Sequence, residues 1–448
     1  MISASLRPLA LICATSLALS ASVCVAQTGG SVTSPIAEPD SQPPVADRSN
    51  IAGPPAPSAL LVPRSGPLPP VLTLEQALDE AVARSPAIVA AEAEVEASRA
   101  RLRQAGFRIN PELSVDIENF AGTGPFSGVN GIETTVSINQ RLDLGGRRSS
   151  RVSAAQAALA AQEIRLAIAR AELGQSVRTQ FATAAAVRDR LELAVANNER
   201  ARELARIANE LVAAGREPPL RALRARANAA QADAALRAAE AADSAARRIL
   251  ASLFGVSELV GGVAGGLEVV AFQDIEPLST LDVQLAEAER LQAEAELRQQ
   301  RAAARLDPSV GIGVRRLQET RDTALVAGVS VPLPFFDRNQ GNVAAAQAEI
   351  RSAEARRSAA LAEASARINN ARTNLTAARA RVVALETLAA PQAAEALRLA
   401  NLSYRAGRLS LLELLDAQEA FAMAQSELID ARLALAEATA TLVRAAAR

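Results

Sequence analysis

The stretch VPLPFFDRNQGNVAAAQAEI, from Val331 to Ile350, joins two kinds of chain. On its upstream side Leu325, Ala327, Val329 and Val331 recur at a period of two, the patterning of a strand. Pro332 and Pro334 then remove donors that a strand ladder needs. Downstream an alanine-rich helix opens, with Asp337 and Asn339 available as N-caps. A chain that passes from a short strand straight into a long helix must cross a boundary between two surroundings.

Composition narrows what those surroundings are. Only 2% of the 448 residues are aromatic and there is no Trp, so a large compact core is not the plan. Alanine, Leu, Glu, Gln and Arg dominate, as in long helices and coiled coils. The 48 basic residues are all Arg, and 49 acidic residues bring the net charge to -1, which gives no electrostatic footprint for nucleic acid. There is no His, and the two cysteines, Cys13 and Cys24, fall in the first segment. Without an imidazole base or a thiol beyond that segment, the composition argues against an enzyme, a resident cofactor and a soft-metal site.

The chain divides accordingly. Residues 1–26, MISASLRPLALICATSLALSASVCVA, read as an export signal cleaved after Ala26; lipidation of Cys24 is the competing outcome. Residues 27–70 hold half of the 22 prolines and read as a flexible linker. No other apolar run approaches the ~20 residues of a membrane helix, so any membrane crossing is made by strands.

The remainder is written twice. Aligning Gly215 with Gly407 sets AAGREPPLRAL over RAGRLSLLELL, with Leu220 and Leu223 falling on Leu412 and Leu415. VSAAQAAL from Val152 matches VAAAQAEI from Val343, and INPELSV from Ile109 matches LDPSVGI from Leu306. We read residues 71–258 and 281–448 as tandem repeats joined by 259–280, where GGVAGG at Gly261 reads as a flexible connection. Val152, Leu159, Leu166 and Leu173 recur in sevens, as do Leu361, Ile368, Leu375 and Val382, which is coiled-coil spacing. A continuous helix from about Arg147 to Ala213 would be roughly 100 Å long. Pro391 predicts a kink in its counterpart.

Between the helices lie strands at about 112–119, 132–141, 309–316 and 324–332. Each has an apolar face, such as Leu113, Val115 and Ile117, and a polar one, such as Ser114, Asp116 and Glu118. That is the alternation of a barrel wall with lipid outside and water within. Four strands cannot close a barrel, since barrels start at about eight, so other copies of the chain must complete it. Phe335 and Phe336 then belong at the membrane interface.

The sequence at this point resembles the TolC-like outer-membrane factor family, over roughly Leu72 to Val443 and in both repeats. VPLPFFDRNQGNVAAAQAEI, LDLGGRRSSRVSAAQ and YRAGRLSLLELLDAQ are most similar to its heavy-metal, CzcC-like branch. The resemblance implies a mainly α chain with a transmembrane β-barrel: a homotrimer, four strands per chain in a twelve-stranded barrel, and an α-helical periplasmic tunnel. It also implies residence in the outer membrane of a Gram-negative bacterium, against its lipid. The implied partners are a periplasmic membrane-fusion adaptor and a proton-driven inner-membrane pump of the RND type.

Carried over by position, the resemblance makes the turns at Gly215–Arg216 and Gly407–Arg408 the adaptor-docking tips. It places acidic constriction residues at Glu413 and Asp416. The same positions of the first repeat hold Arg221 and Arg224, a basic pair expected to hold the acids at rest. Tyr404, the only Tyr, precedes the second turn and is placed to hydrogen-bond across it. Two rivals stay open: a type I protein secretion or drug efflux duct of the same fold, and a periplasmic coiled-coil scaffold.

Overall fold

The computed structural model describes residues 64–265 and 276–447. The export signal, the linker up to residue 63 and the centre of the inter-repeat connection lie outside the described residues. In chain order the elements are α1 (Leu74–Arg84), α2 (Pro86–Gly106), β1 (Glu112–Glu118), β2 (Glu133–Arg141), α3 (Arg147–Ala213) and α4 (Pro219–Ser252). They continue as α5 (Leu281–Ala303), β3 (Ser309–Leu317), β4 (Thr323–Ser330), α6 (Gln340–Ala384), α7 (Ala390–Arg405) and α8 (Leu411–Ala445). Among the described residues no helix is long and apolar enough to cross a membrane.

Local chemistry sets several of the boundaries. Thr73 starts α1 with a capping box, its hydroxyl accepting from the Gln76 N–H while the Gln76 side chain accepts from the Thr73 N–H. Pro86 opens α2, where its missing N–H costs nothing. α3 starts behind Gly146 at φ 81° and α6 behind Asn339 at φ 60°, both left-handed. Asn339 thus holds the N-cap position, yet its side chain does not cap α6. Its Nδ2 donates to the Gln300 carbonyl at 2.9 Å, and the Asp337 carboxylate instead accepts from the Asn339 N–H at 2.8 Å.

The strands form one antiparallel sheet in the order β1-β2-β3-β4. The register puts Leu113, Ile138, Ile312 and Ala327 in one cross-strand row and Val115, Val136, Val314 and Leu325 in the next. This face is bare, with Leu325 at 83% and Leu113 at 69% exposure. The opposite face carries Ser114, Ser137 and Asn139 in a hydrogen-bonded group, and Arg315 reaching Glu118 and Glu133 at 3.1 Å. Gly313 lies on this polar face because a Cβ there would stand 2.6 Å from the Ser137 Cβ.

Below the sheet the helices keep the strand order, α2 packing on α3, α3 on α5 and α5 on α6. Beyond them α4 runs back along α3, and α8 packs on α3, α6 and α7. α3 is unbroken for 67 residues, roughly 100 Å. Its partner in the second repeat is not straight-through: at Leu385–Ala389 it takes a π turn, in which the Ala390 N–H reaches the Leu385 carbonyl. Pro391 has no N–H for the carbonyl one turn back, and the kink it predicts takes the form of that wider turn.

Two further expectations are corrected. Residues 64–70 are not free linker: the Arg64 N–H donates to the Ala83 carbonyl, Arg84 donates to the Gly66 carbonyl at 2.6 Å, and Leu68 packs on the core. Residues 261–264 of GGVAGG are not a flexible connection either, while Gly266 lies outside the described residues. Leu72 pairs with Val263 in a parallel bridge, and Gly261 sits where a Cβ would meet the Pro70 carbonyl oxygen at 2.2 Å. Leu72, Val177, Phe181, Leu250, Phe254 and Val260 make the principal apolar cluster around this bridge.

Gly313→Val should prevent this sheet from closing, at a cost of about 1–3 kcal/mol or more from overpacking. Gly328→Val, where an added Cβ meets nothing within 4 Å, should be tolerated. Heat-dependent gel mobility of the folded protein separates the two; equal folding of both variants would contradict the packing described.

Candidate functional site at the hairpin tips

The two ends of the long hairpins are built alike. After α3 the Arg216 N–H donates to the Leu211 carbonyl at 2.9 Å and the Gly215 N–H to Val212 at 3.0 Å. After α7 the Arg408 N–H donates to Ser403 at 2.9 Å and the Gly407 N–H to Tyr404 at 2.9 Å. This is the Schellman stop, and it needs a left-handed residue, met by Gly215 at φ 68° and Gly407 at φ 69°.

The helices that leave the two turns start differently. α8 begins with a capping box: the Glu413 N–H donates to Ser410 Oγ at 3.3 Å, and the Ser410 N–H donates to the Glu413 carboxylate at 2.9 Å. The Ser410 hydroxyl, and then its backbone N–H, hold the Glu413 carboxyl below the usual range. The cap contribution is therefore complete above the ordinary carboxylate pKa and is lost as pH falls through the lowered one. α4 instead begins with Pro218 and Pro219 and has no side-chain cap. Arg221 occupies the position that Glu413 holds in α8, and it turns back to form an ion pair with Glu217.

The basic and acidic pairs therefore do not meet within one chain. Glu413 is engaged by its own cap and Arg221 by Glu217, while Arg224 and Asp416 are exposed and form no ion pair among the described residues. For Arg221 and Glu413 the expected latch gives way inside the chain to local partners, since each has a neighbour three or four residues away. Ser410 and Glu217 were missed in the sequence, although Ser-x-x-Glu ahead of an apolar run is the capping-box signal.

Between the tips lies a cleft of about 1280 Å³, charged on its rim by Glu199, Glu203, Arg398, Arg405 and Arg408. Under it Leu204, Ala208, Ala225, Leu397, Leu411 and Leu414 form an apolar cluster that joins α3, α4, α7 and α8. Tyr404 packs against this cluster, and among the described residues its hydroxyl makes no hydrogen bond across the turn. Burial, and next the Glu217 charge, push its phenol up, against the opposing pull of Arg221. Arg200 lies 5.4 Å from the Phe421 ring centroid in a cation–π contact between α3 and α8. At the other end of the helices, Phe335 and Phe336 stand 70% and 95% exposed just beyond β4.

A four-stranded sheet with one bare apolar face and one polar face, continued by helical hairpins that end in matched tips, defines a membrane duct of mixed barrel and helical-tunnel type. The chain belongs to the outer membrane efflux protein family, whose profile matches residues 77–256 and 278–448. It is similar to the cobalt-zinc-cadmium resistance protein CzcC of Cupriavidus metallidurans, 29% identical over 78% of this chain and 83% of the relative. It is also similar to the nickel and cobalt resistance protein CnrC of the same organism, 32% identical over 62% of this chain and 67% of the relative. The solved outer membrane protein VceC of Vibrio cholerae shares the fold with a TM-score of 0.69 and 23% identity, covering 84% of this chain and 96% of that one. The CusC channel does so at 0.71 and 18%, covering 83% and 91%. The chain is thus an outer-membrane exit duct with a periplasmic helical tunnel, and not an enzyme.

Ser410→Ala removes the hydroxyl cap of α8, a loss of about 1 kcal/mol, or roughly fivefold in local opening. Amide exchange at Leu412–Leu414 should quicken by that factor, while the first turn of α4 is unaffected. Unchanged exchange would mean the capping box does not hold this tip.

Proposed function

We propose that three copies of this chain form the exit duct of a tripartite system that exports heavy-metal cations. The observation that carries the assembly is the open sheet: β1 and β4 are edge strands, paired on one side only, whose outward side has no strand partner within the chain among the described residues. In hydrocarbon such edges are not tolerated, and pairing β1 of one copy with β4 of the next closes a twelve-stranded barrel. The metal cargo is supported by the names of the relatives, resistance proteins for cobalt, zinc, cadmium and nickel.

In this reading the chain is exported with loss of residues 1–26, residues 71–258 and 281–448 act as paired repeats, and Phe335 and Phe336 lie at the membrane interface. The turns at Gly215–Arg216 and Gly407–Arg408, with Tyr404 packed behind the second, receive a periplasmic adaptor, which couples the duct to a proton-driven inner-membrane pump. Three copies bring Glu413 and Asp416 around one axis as a ring of negative charge that favours cations. Arg221 and Arg224 lie on the matching faces of the first repeat and set the positive side of the entrance.

Light scattering of the detergent-purified protein should give three times the chain mass; a stable, water-soluble monomer would overturn the assembly. Deleting the gene should raise sensitivity to at least one of zinc, cobalt, cadmium, nickel and copper. Unchanged sensitivity to all of them, with altered drug susceptibility or protein secretion, would transfer the duct to one of those cargoes.

A further inference from the structure

We propose that the pocket where α2 runs into β1 binds the phosphate of an anionic phospholipid headgroup, in the leaflet of the outer membrane that faces the periplasm. The pocket has a volume of about 840 Å³ and is lined by Arg101, Gln104, Phe107, Arg108, Asn110 and Arg151. Among the described residues no carboxylate lines it. The acid nearest in the chain to Arg151, Asp143, is taken by that same arginine at 2.9 Å. Arg101 and Arg108 are exposed and have neither an ion pair nor a hydrogen bond among the described residues. By contrast Arg99 on the same helix, and Arg165, Arg170, Arg202 and Arg290 on other helices, each hold a carboxylate.

The C-terminus of α2 would repel an anion through its free carbonyls, but Arg148 already donates to the Gly106 carbonyl at 2.6 Å. Two guanidinium forks and two carboxamides therefore face one opening, a donor set suited to phosphate oxygens.

Position selects the source of that phosphate. The Gln140 side chain donates to the Ile109 carbonyl at 3.0 Å, which ties the pocket to the strand row where Gln140 stands opposite Val310. Leu113, the first residue of the bare apolar face, comes soon after Ile109 in β1. The headgroup level thus falls at the pocket, and the acyl chains fall along the strands. Phe107, 63% exposed on the pocket wall, is placed as interfacial aromatic rings are. Basic pockets at this depth hold anionic headgroups. The site rests on the outer-membrane placement of the strand face and goes beyond it by naming a lipid class.

The test is a lipid titration of the detergent-purified protein by native mass spectrometry, with dioleoylphosphatidylglycerol, dioleoylphosphatidylcholine and inorganic phosphate as probes. Phosphatidylglycerol should bind roughly tenfold more tightly than phosphatidylcholine, and a double variant, Arg101→Gln with Arg108→Gln, should lose that preference. Arg103→Gln, on the same helix but outside the pocket, should keep it. Circular dichroism and oligomer mass confirm that each variant is folded. Equal binding of the two lipids, or an undiminished preference in the double variant, would overturn the site. Inorganic phosphate competing through the same two arginines at matched concentration would overturn the lipid assignment. Failure of the membrane reading itself looks different, because the wild-type protein would then bind neither lipid and remain soluble without detergent.

Discussion

Arg147 holds the level at which strands become helices. One nitrogen of its guanidinium donates to the carbonyls of Ala303 at 2.7 Å and Arg305 at 2.5 Å, and another pairs with Asp307 at 3.1 Å. A helix that stops beside a membrane leaves carbonyls that neither the strand ladder nor lipid can satisfy. Here the satisfying donors come from the next element in the wall: Arg147 serves the end of α5, Arg148 the end of α2, and Asn339 the Gln300 carbonyl. Arg305 returns a bond to the Gly145 carbonyl at 2.5 Å. Arg147 and Arg305 thus tie the two repeats to each other at this level, while Arg148 and Asn339 close helix ends within their own repeats. The left-handed starts at Gly146 and Asn339 belong to the same solution, because they turn the chain sharply enough for the adjoining side chains to reach sideways.

Much of this architecture is legible in the sequence where a single period governs. Alternation along VGIGV and TALVAGV fixes which residues face outward, and once one face must be apolar the register of Val310 against Val329 and Ile312 against Ala327 is set. Heptads show the long helices, and they mark the buried Ile368 and Val382, but in the first repeat they do not show which residues pack deepest. Leu159, Leu166 and Leu173 are only half-buried, whereas Ala154 and Ala161, also seven apart, are nearly or fully buried, as are Ala346 and Ala353. Alanine permits backbones to approach so closely that the contact line runs through the smallest side chains. The leucines flank that line and cover other surfaces.

The misreadings share a cause. GGVAGG has the composition of a loose connector, and only a partner far away in the chain, the Pro70 carbonyl, shows that Gly261 serves close packing. Asn339 has the right type for a cap, yet its Oδ1 accepts from the Asn342 side chain while its Nδ2 donates to a carbonyl of α5. Equivalent positions in the tips suggested Arg221 against Glu413, but an acid four residues before Arg221 and a hydroxyl three before Glu413 are nearer and cost less chain entropy to engage. Repeat symmetry predicts backbone, as the matched Gly215 and Gly407 turns demonstrate. It does not predict side-chain partners, which depend on residues that have diverged between the halves. The consequence is an asymmetric pair of tips. Glu413 lies where the positive end of the α8 dipole favours it, whereas Arg221 lies where the α4 dipole disfavours it and needs Glu217 beside it.

Under the proposed reading, the composition has a functional sense that no single site displays. A duct for late transition metals works only if it lets them leave, and affinity for such ions rises with imidazole and thiolate donors. The chain has no His, and both its cysteines lie in the segment read as the export signal. What remains is carboxylate, and many of those oxygens are engaged by arginine: Glu118 and Glu133 by Arg315 on the polar face of the sheet, Asp233 by Arg202, and Asp282 by Arg367 and Arg444. Arginine cannot be deprotonated at working pH and presents a rigid fork, so it keeps a carboxylate occupied where a mobile lysine would let go more readily. The total absence of Lys then reads as part of the same plan. Negative charge is kept in the wall to attract cations, and it is held in pairs that do not become a trap.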